Sequence, residues 1–319
     1  MKQKQSDTST LITYIQVIVI SITSIFFFGG CDSKTKSSES NGKLKIVTTT
    51  GMIKDAVEHV LGDKAEVIAL MGPGVDPHLY KATQGDLAKL SNADIVLYNG
   101  LHLEGKMVDV LEKLARQKSV VAVADGVEES ALRSPPEFKG SHDPHIWFDV
   151  KLWTGAVRRI AEELKRVDSA HASDYERNAT AYIARLDSLD AWVRTQIATI
   201  PREQRVMITA HDAFGYFGRA YDIEVRGLQG ISTVSEFGLA DVAALVNEIV
   251  DRKIKAVFVE SSVPKRSIEA VVAGVQSKKH DVKIGGQLYS DAMGDAGTPE
   301  GTYIGMVSAN VNTIVNALK

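Results

Sequence analysis

Apolar residues along the chain alternate between two periodicities, and the alternation sets the expected architecture. After Lys43 the short β-branched runs KLKIVTTT, AEVIALM, DIVLYNG and SVVAVADG read as strands. Between them MIKDAVEHVLG, GDLAKLSNA and KMVDVLEKLARQ carry helical spacing, the first ending at Gly62. A second series follows Pro201, with RVMITA, a helix around AFGYFGRAY, IEVRGL, the helix LADVAALVNEIVDRK, AVFVES, the helix SIEAVVAGVQSKK, and KIGGQLY. Strand and helix alternating twice predict an α/β fold of two lobes, each a mainly parallel β-sheet flanked by helices.

The stretch from Leu152 to Ile200 differs, being helical throughout and broken only near Val167 to Ala172. Ala179, Tyr182, Leu186, Leu189, Val193 and Ile197 recur at three- and four-residue spacing, an apolar stripe along one helix face. Residues 173–200 are therefore expected to form one long rigid helix, roughly 40 Å at 1.5 Å per residue. It would join an N-terminal lobe of residues 43–172 to a C-terminal lobe of residues 201–319. SPPEFKGSHD, with its paired prolines, is expected as a surface excursion.

The first forty residues follow neither pattern. Lys2 and Lys4 precede an apolar run from Leu11 to Phe28, then Gly29, Gly30 and Cys31, the only cysteine of the chain. A basic region, an apolar region and a small-residue cleavage site in that order make residues 1–30 a lipoprotein signal peptide, with Cys31 as the lipid-attachment site. Phe28 stands where such sites usually carry Leu, and the run is long enough to serve as an uncleaved anchor instead. Either way the body lies outside the cytoplasm, anchored to the membrane, and one cysteine allows no intramolecular disulfide. DSKTKSSESNG, residues 32–42, is polar and aperiodic, as suits a flexible tether beginning at residue 31.

Composition changes this picture little: of 319 residues, 44% are hydrophobic and 24% charged, with net charge −3. That balance is ordinary for a globular chain and gives no reason to expect a nucleic-acid partner. The chemistry lies in four segments that place a metal-binding side chain at or just beyond a strand end: VDPHLY with His78, DPHIWFD with His145, TAHDAFGYF with His211 and QLYSDAMG with Asp291. Ligands in open α/β sheets bind beyond the carboxyl ends of strands, and in two-lobed proteins between the lobes, so two ligands from each series would meet in the interdomain cleft. Three imidazoles and a carboxylate suit a borderline divalent ion such as zinc or manganese, whereas calcium and magnesium prefer oxygen throughout. In both Asp-Pro-His segments the proline stiffens the turn from which the histidine emerges.

With VDPHLYKATQGDLAKLSNADIVLYNGLHLE, DPHIWFD, HDAFGYF and FVESSV in that order, the chain from Lys43 to Lys319 resembles bacterial solute-binding protein family 9, the zinc and manganese receptors of ABC importers. The resemblance implies that His78, His145, His211 and Asp291 hold the transported metal in the interdomain site. It also implies delivery to an ABC permease and its ATPase, no enzymatic activity and no organic cofactor. The third ligand position is Glu in many manganese receptors of the family and His in its zinc receptors and one mixed group, so His211 leaves both metals open. SPPEFKGSH replaces the long His-rich loop of dedicated zinc receptors, which favours manganese or mixed specificity. A monomer is expected.

Among the remaining histidines, His59 and His171 are expected exposed on helices, His280 in a basic turn and His102 outside the site, with His142 as an auxiliary contact at most. Asp149, Asp212, Glu236 and Glu260 are candidate acceptors for the ligand imidazoles. Trp147, Phe148, Phe214, Tyr216 and Phe217 are expected to pack the cleft walls. Two rival readings are a zinc-dependent hydrolase and a surface adhesin. A fourth protein ligand argues against the first, because it closes the position where water would be activated. No residue specifies the second.

Overall fold

β1 (Leu44–Thr48), β2 (Ala65–Ala69), β3 (Ile95–Tyr98) and β4 (Ser119–Ala122) form a parallel sheet in the order β2-β1-β3-β4 in the computed structural model, which describes residues 43–319 apart from 137 and 139. The expected signal peptide, tether and Cys31 lie outside the described residues. Ile46 stands in register with Val67 on one side and Ile95 on the other, so each run of β-branched residues packs beside the next. The connecting helices are α1 (Gly51–Leu61), α2 (Gln84–Asn92) and α3 (Val108–Ala115). Met52, Ile53, Ala56, Val57, Val60 and Leu61 bury one face of α1, and Gly62 closes it at φ 62°, a backbone that glycine adopts without a Cβ clash. α2 opens on a capping box between Thr83 and Asp86.

The second half contains β5 (Val206–His211), α6 (Gly215–Tyr221), β6 (Glu224–Gln229), α7 (Leu239–Asp251), β7 (Ala256–Glu260), α8 (Arg266–Ser277) and β8 (Lys283–Leu288). β5 pairs with β6 and β7 with β8, both in parallel. β5 runs beside β7 without ladder pairing, and Ile208, Ala210, Val257 and Val259 fuse the two ribbons into one core.

α4 (Val150–Val167) and α5 (Ala172–Ile197) are separated by a single 3₁₀ turn at Ser169–His171, where the break was expected. α5 is 26 residues long, and its buried stripe includes Tyr182, Leu186, Leu189 and Val193. It bonds to both halves: the Tyr182 hydroxyl donates to Asp55 in α1, while Arg194 donates to the Ala220 carbonyl in α6. A last helix, α9 (Tyr303–Leu318), is absent from the sequence reading; its residues Tyr303, Met306, Val311 and Ile314 are buried. One hydrophobic cluster runs through Ile46, Trp147, Leu186, Phe258 and Tyr303, so the two halves share a core as well as a helix.

Among the described residues no helix is long and apolar enough to cross a membrane.

Candidate metal centre

The two Asp-Pro-His segments build the same turn by the same means. Asp76 Oδ1 accepts the His78 amide at 2.8 Å, and Asp143 Oδ1 accepts the His145 amide at 3.0 Å. Each aspartate thus closes a turn over the proline and presents the histidine. The proline stiffens each turn, and the aspartate two residues before each histidine, a signal legible in both segments, closes it. His78 follows β2, His145 precedes the 3₁₀ turn leading into α4, His211 is the last residue of β5, and Asp291 follows β8.

The fold brings all four side chains together. One atom from each of His78, His145, His211 and Asp291 lies within 4.8 Å of every other, and none of the four residues is more than 2% exposed. His78 Nε2 is 3.3 Å from His145 Nε2, which is 3.4 Å from Asp291 Oδ1, while His211 Nε2 is 3.2 Å from Asp291 Oδ2. A tetrahedron with bonds of about 2.1 Å has edges of about 3.4 Å; these spacings lie close to that, while His78 Nε2 to Asp291 Oδ2 is wider at 3.9 Å. His211 Nε2 and Asp291 Oδ1 are buried without a hydrogen-bond partner. Such orphaned atoms cost about 1–3 kcal/mol each unless something else satisfies them, and a metal ion would.

Carboxylates orient two of the rings from behind. His211 Nδ1 lies 2.5 Å from Glu260 Oε2, and the His211 amide donates to Glu260 Oε1 at 2.8 Å. His145 Nδ1 lies 2.8 Å from Asp143 Oδ1, and Arg133 pairs with the other oxygen of Asp143. Both contacts leave Nε2 facing the group. Burial alone would lower His145, but its hydrogen bond to Asp143 and the Asp291 carboxylate beside Nε2 raise it to about 9. His211 is raised well above the ordinary histidine value, the charges of Glu260 and Asp291 outweighing its burial. Burial dominates at His78 and lowers it to about 3. Asp291 is held well below the ordinary carboxylate range despite burial, chiefly by His211 and then His145.

Of the acceptors expected from sequence, Glu260 serves a ligand. Asp149 instead caps α4 by accepting the Lys151 and Leu152 amides, and Glu236 is exposed. Asp212 is joined to the Gln229 carbonyl through its own amide. His59, expected exposed, stacks on Tyr182 at 4.1 Å and pairs with Asp55, because α1 turns that side toward α5. His171 pairs with Asp168 and His280 with the Ile254 carbonyl. His102 and His142 line a separate cavity with Glu112 and Asp125. Trp147, Phe148, Phe214, Tyr216 and Phe217 are buried, and Trp147 meets His145 edge-on at 5.2 Å. A cavity of about 360 Å³ lined by Thr50, Gly51, Met71 and Met293 reaches Asp291 from the α1 side.

Comparison with known proteins places this geometry. The manganese-binding lipoprotein MntA of Bacillus subtilis is 51% identical over 294 residues, 92% of this chain and 96% of the relative. The zinc-binding protein TroA of Treponema pallidum is 50% identical over 284 residues, 89% of this chain and 92% of the relative. The solved structure of the periplasmic zinc-binding protein TroA from Treponema pallidum superposes with a TM-score of 0.85, covering 87% of this chain and 99% of that one at 51% identity. The family described as ZnuA, zinc-uptake complex component A, periplasmic, matches residues 46–317. Sequence, fold and family match agree, and the chain belongs to the ZnuA family of metal-uptake components.

Proposed function

We propose that this protein is an extracytoplasmic receptor that captures a divalent transition-metal ion, manganese or zinc, and delivers it to the permease and ATPase of an ABC importer. The observation that carries this reading is the convergence of three imidazole nitrogens and a carboxylate in a group shielded from solvent. His78, His145, His211 and Asp291 are the proposed ligands of the transported ion. The relatives' names support both metals, since MntA is named for manganese and TroA for zinc.

Residues 43–172 and 201–319 are proposed to act as two lobes held by α5, with the ion bound between them. In this reading the protein is a monomer anchored by acyl chains on Cys31. The name lipoprotein borne by MntA supports the anchor. A hydrolytic role is disfavoured because Asp291 takes the coordination position that an activated water would need.

Titration calorimetry of metal-free protein with manganese and with zinc tests the reading. One ion per chain is expected, with binding lost or weakened by orders of magnitude in His78→Ala, His145→Ala, His211→Ala and Asp291→Ala, and retained in His59→Ala, His102→Ala and His280→Ala. Wild-type affinity in His211→Ala would refute the four-ligand site. Metabolic labelling with a radioactive fatty acid tests the anchor, with label expected in the wild type and absent from Cys31→Ser.

A further inference from the structure

Asp76 links two parts of the candidate site that lie far apart in the chain. Its Oδ1 accepts the His78 amide at 2.8 Å, and its Oδ2 accepts the hydroxyl of Thr233, 157 residues away, at 2.6 Å. Thr233 belongs to the loop after β6, and that loop is fastened from its other side. Gln229, at the end of β6, turns its side chain back and donates from Nε2 to the Thr233 carbonyl at 2.7 Å and the Ser235 carbonyl at 2.5 Å. The main-chain carbonyl of Gln229 accepts the amide of Asp212, the neighbour of His211, at 3.1 Å. A chain of hydrogen bonds therefore runs from His78 through Asp76, Thr233 and Gln229 to the residue beside His211.

The three histidines are not held equally. His145 and His211 each have a ring nitrogen fixed by a buried carboxylate, Asp143 and Glu260 respectively. Among the described residues the His78 ring bonds only to His145, and its orientation rests on the turn that Asp76 closes. That turn also lies where the site meets solvent: Asp76 and Thr233 are half-buried, while their neighbours Leu79 and Val234 are each 49% exposed. The least supported ligand is thus secured through a part-buried bond.

We propose that Thr233 is a positioning residue for ion retention, its hydroxyl clipping Asp76 from the opposite side of the cleft and so fixing His78 against departure of the ion. The clip rests on the reading of His78, His145, His211 and Asp291 as the ion site. Losing the hydroxyl removes a hydrogen bond to a charged acceptor, which corresponds to a change of roughly tenfold or more.

Zinc release from the full chain, followed by stopped-flow competition with a chelator, tests the proposal. Thr233→Val is expected to bind one zinc per chain and release it roughly tenfold faster than wild type, and Thr233→Ser to restore the slow rate. In an Asp76→Ala background, Thr233→Val is expected to make no further difference, because the two residues act through one bond. Equal release rates in wild type and Thr233→Val, failure of serine to restore, or additive effects in the double variant would each overturn the clip while leaving the ion site intact. A metal-free melting temperature that falls as the release rate rises would also overturn it, by making the role structural. A wild-type protein that retains neither zinc nor manganese would instead refute the ion site itself.

Discussion

At the scale of single residues, the metal-free site is a store of protons. With His145 raised to about 9 and His211 raised well above its ordinary value, both imidazoles are expected to be protonated at neutral pH, while His78, lowered to about 3, is not. An incoming ion must displace those two protons, so binding at pH 7 is expected to release about two protons per ion. Calorimetry in buffers of different ionisation enthalpy reads that number directly. Affinity is expected to climb as pH rises through about 9, where His145 loses its proton without help. The sign for stability runs the other way. A histidine raised above its ordinary 6.5 stabilises the metal-free fold fully below that value and ceases to do so as pH rises through its folded value. Metal-free protein should therefore lose melting temperature between pH 6.5 and 9, while metal-loaded protein, whose imidazoles are already deprotonated, should not. Glu260→Gln keeps the size of the side chain but removes the charge behind His211 Nδ1, and is expected to weaken zinc binding about 10–100-fold. His211→Glu should move preference from zinc toward manganese, since a carboxylate oxygen is harder than imidazole nitrogen; competition between the two metals measures it.

Among the elements, α9 shows how function hides in an unpromising sequence. Its buried stripe carries one polar residue, Asn310, and Gly305, Ser308 and Asn312 beside the stripe are weak helix formers. Asn310 is 3% exposed, accepting the Tyr289 amide at 2.8 Å and donating to the Tyr289 carbonyl at 2.7 Å. The helix thereby grips the backbone two residues before Asp291. Asn310→Ala would leave both Tyr289 groups unpaired, and is expected to cost about 1–3 kcal/mol of stability in thermal or urea unfolding. It should also weaken metal binding, because Asp291 loses its anchor. By contrast the strands and most helices were legible, since β-branched runs and amphipathic stripes are properties of neighbouring residues.

For the whole molecule, the shared core makes large opening costly. Ile46, Trp147, Leu186, Phe258 and Tyr303 belong to one cluster, and separating the halves would expose it to water. Trp147 adds a bond across the molecule, donating to the Ser290 carbonyl at 3.1 Å, and the Tyr303 hydroxyl donates to the Trp147 carbonyl at 2.7 Å. Metal capture is therefore expected to involve a small tilt or local loop rearrangement. Small-angle scattering curves of metal-free and metal-loaded protein should nearly superimpose, and a large compaction on loading would contradict that stiffness.

The sequence alone determined the alternating elements and the long helix and singled out the four candidate ligand side chains, because local periodicity and short motifs report on residues near one another in the chain. Tertiary structure decided what stands behind those side chains. Glu260 reaches His211 across 49 positions, Thr233 reaches Asp76 across 157, and Tyr182 draws His59 and Asp55 out of solvent. No spacing rule announces such contacts, since each depends on where two distant segments come to rest when the core closes.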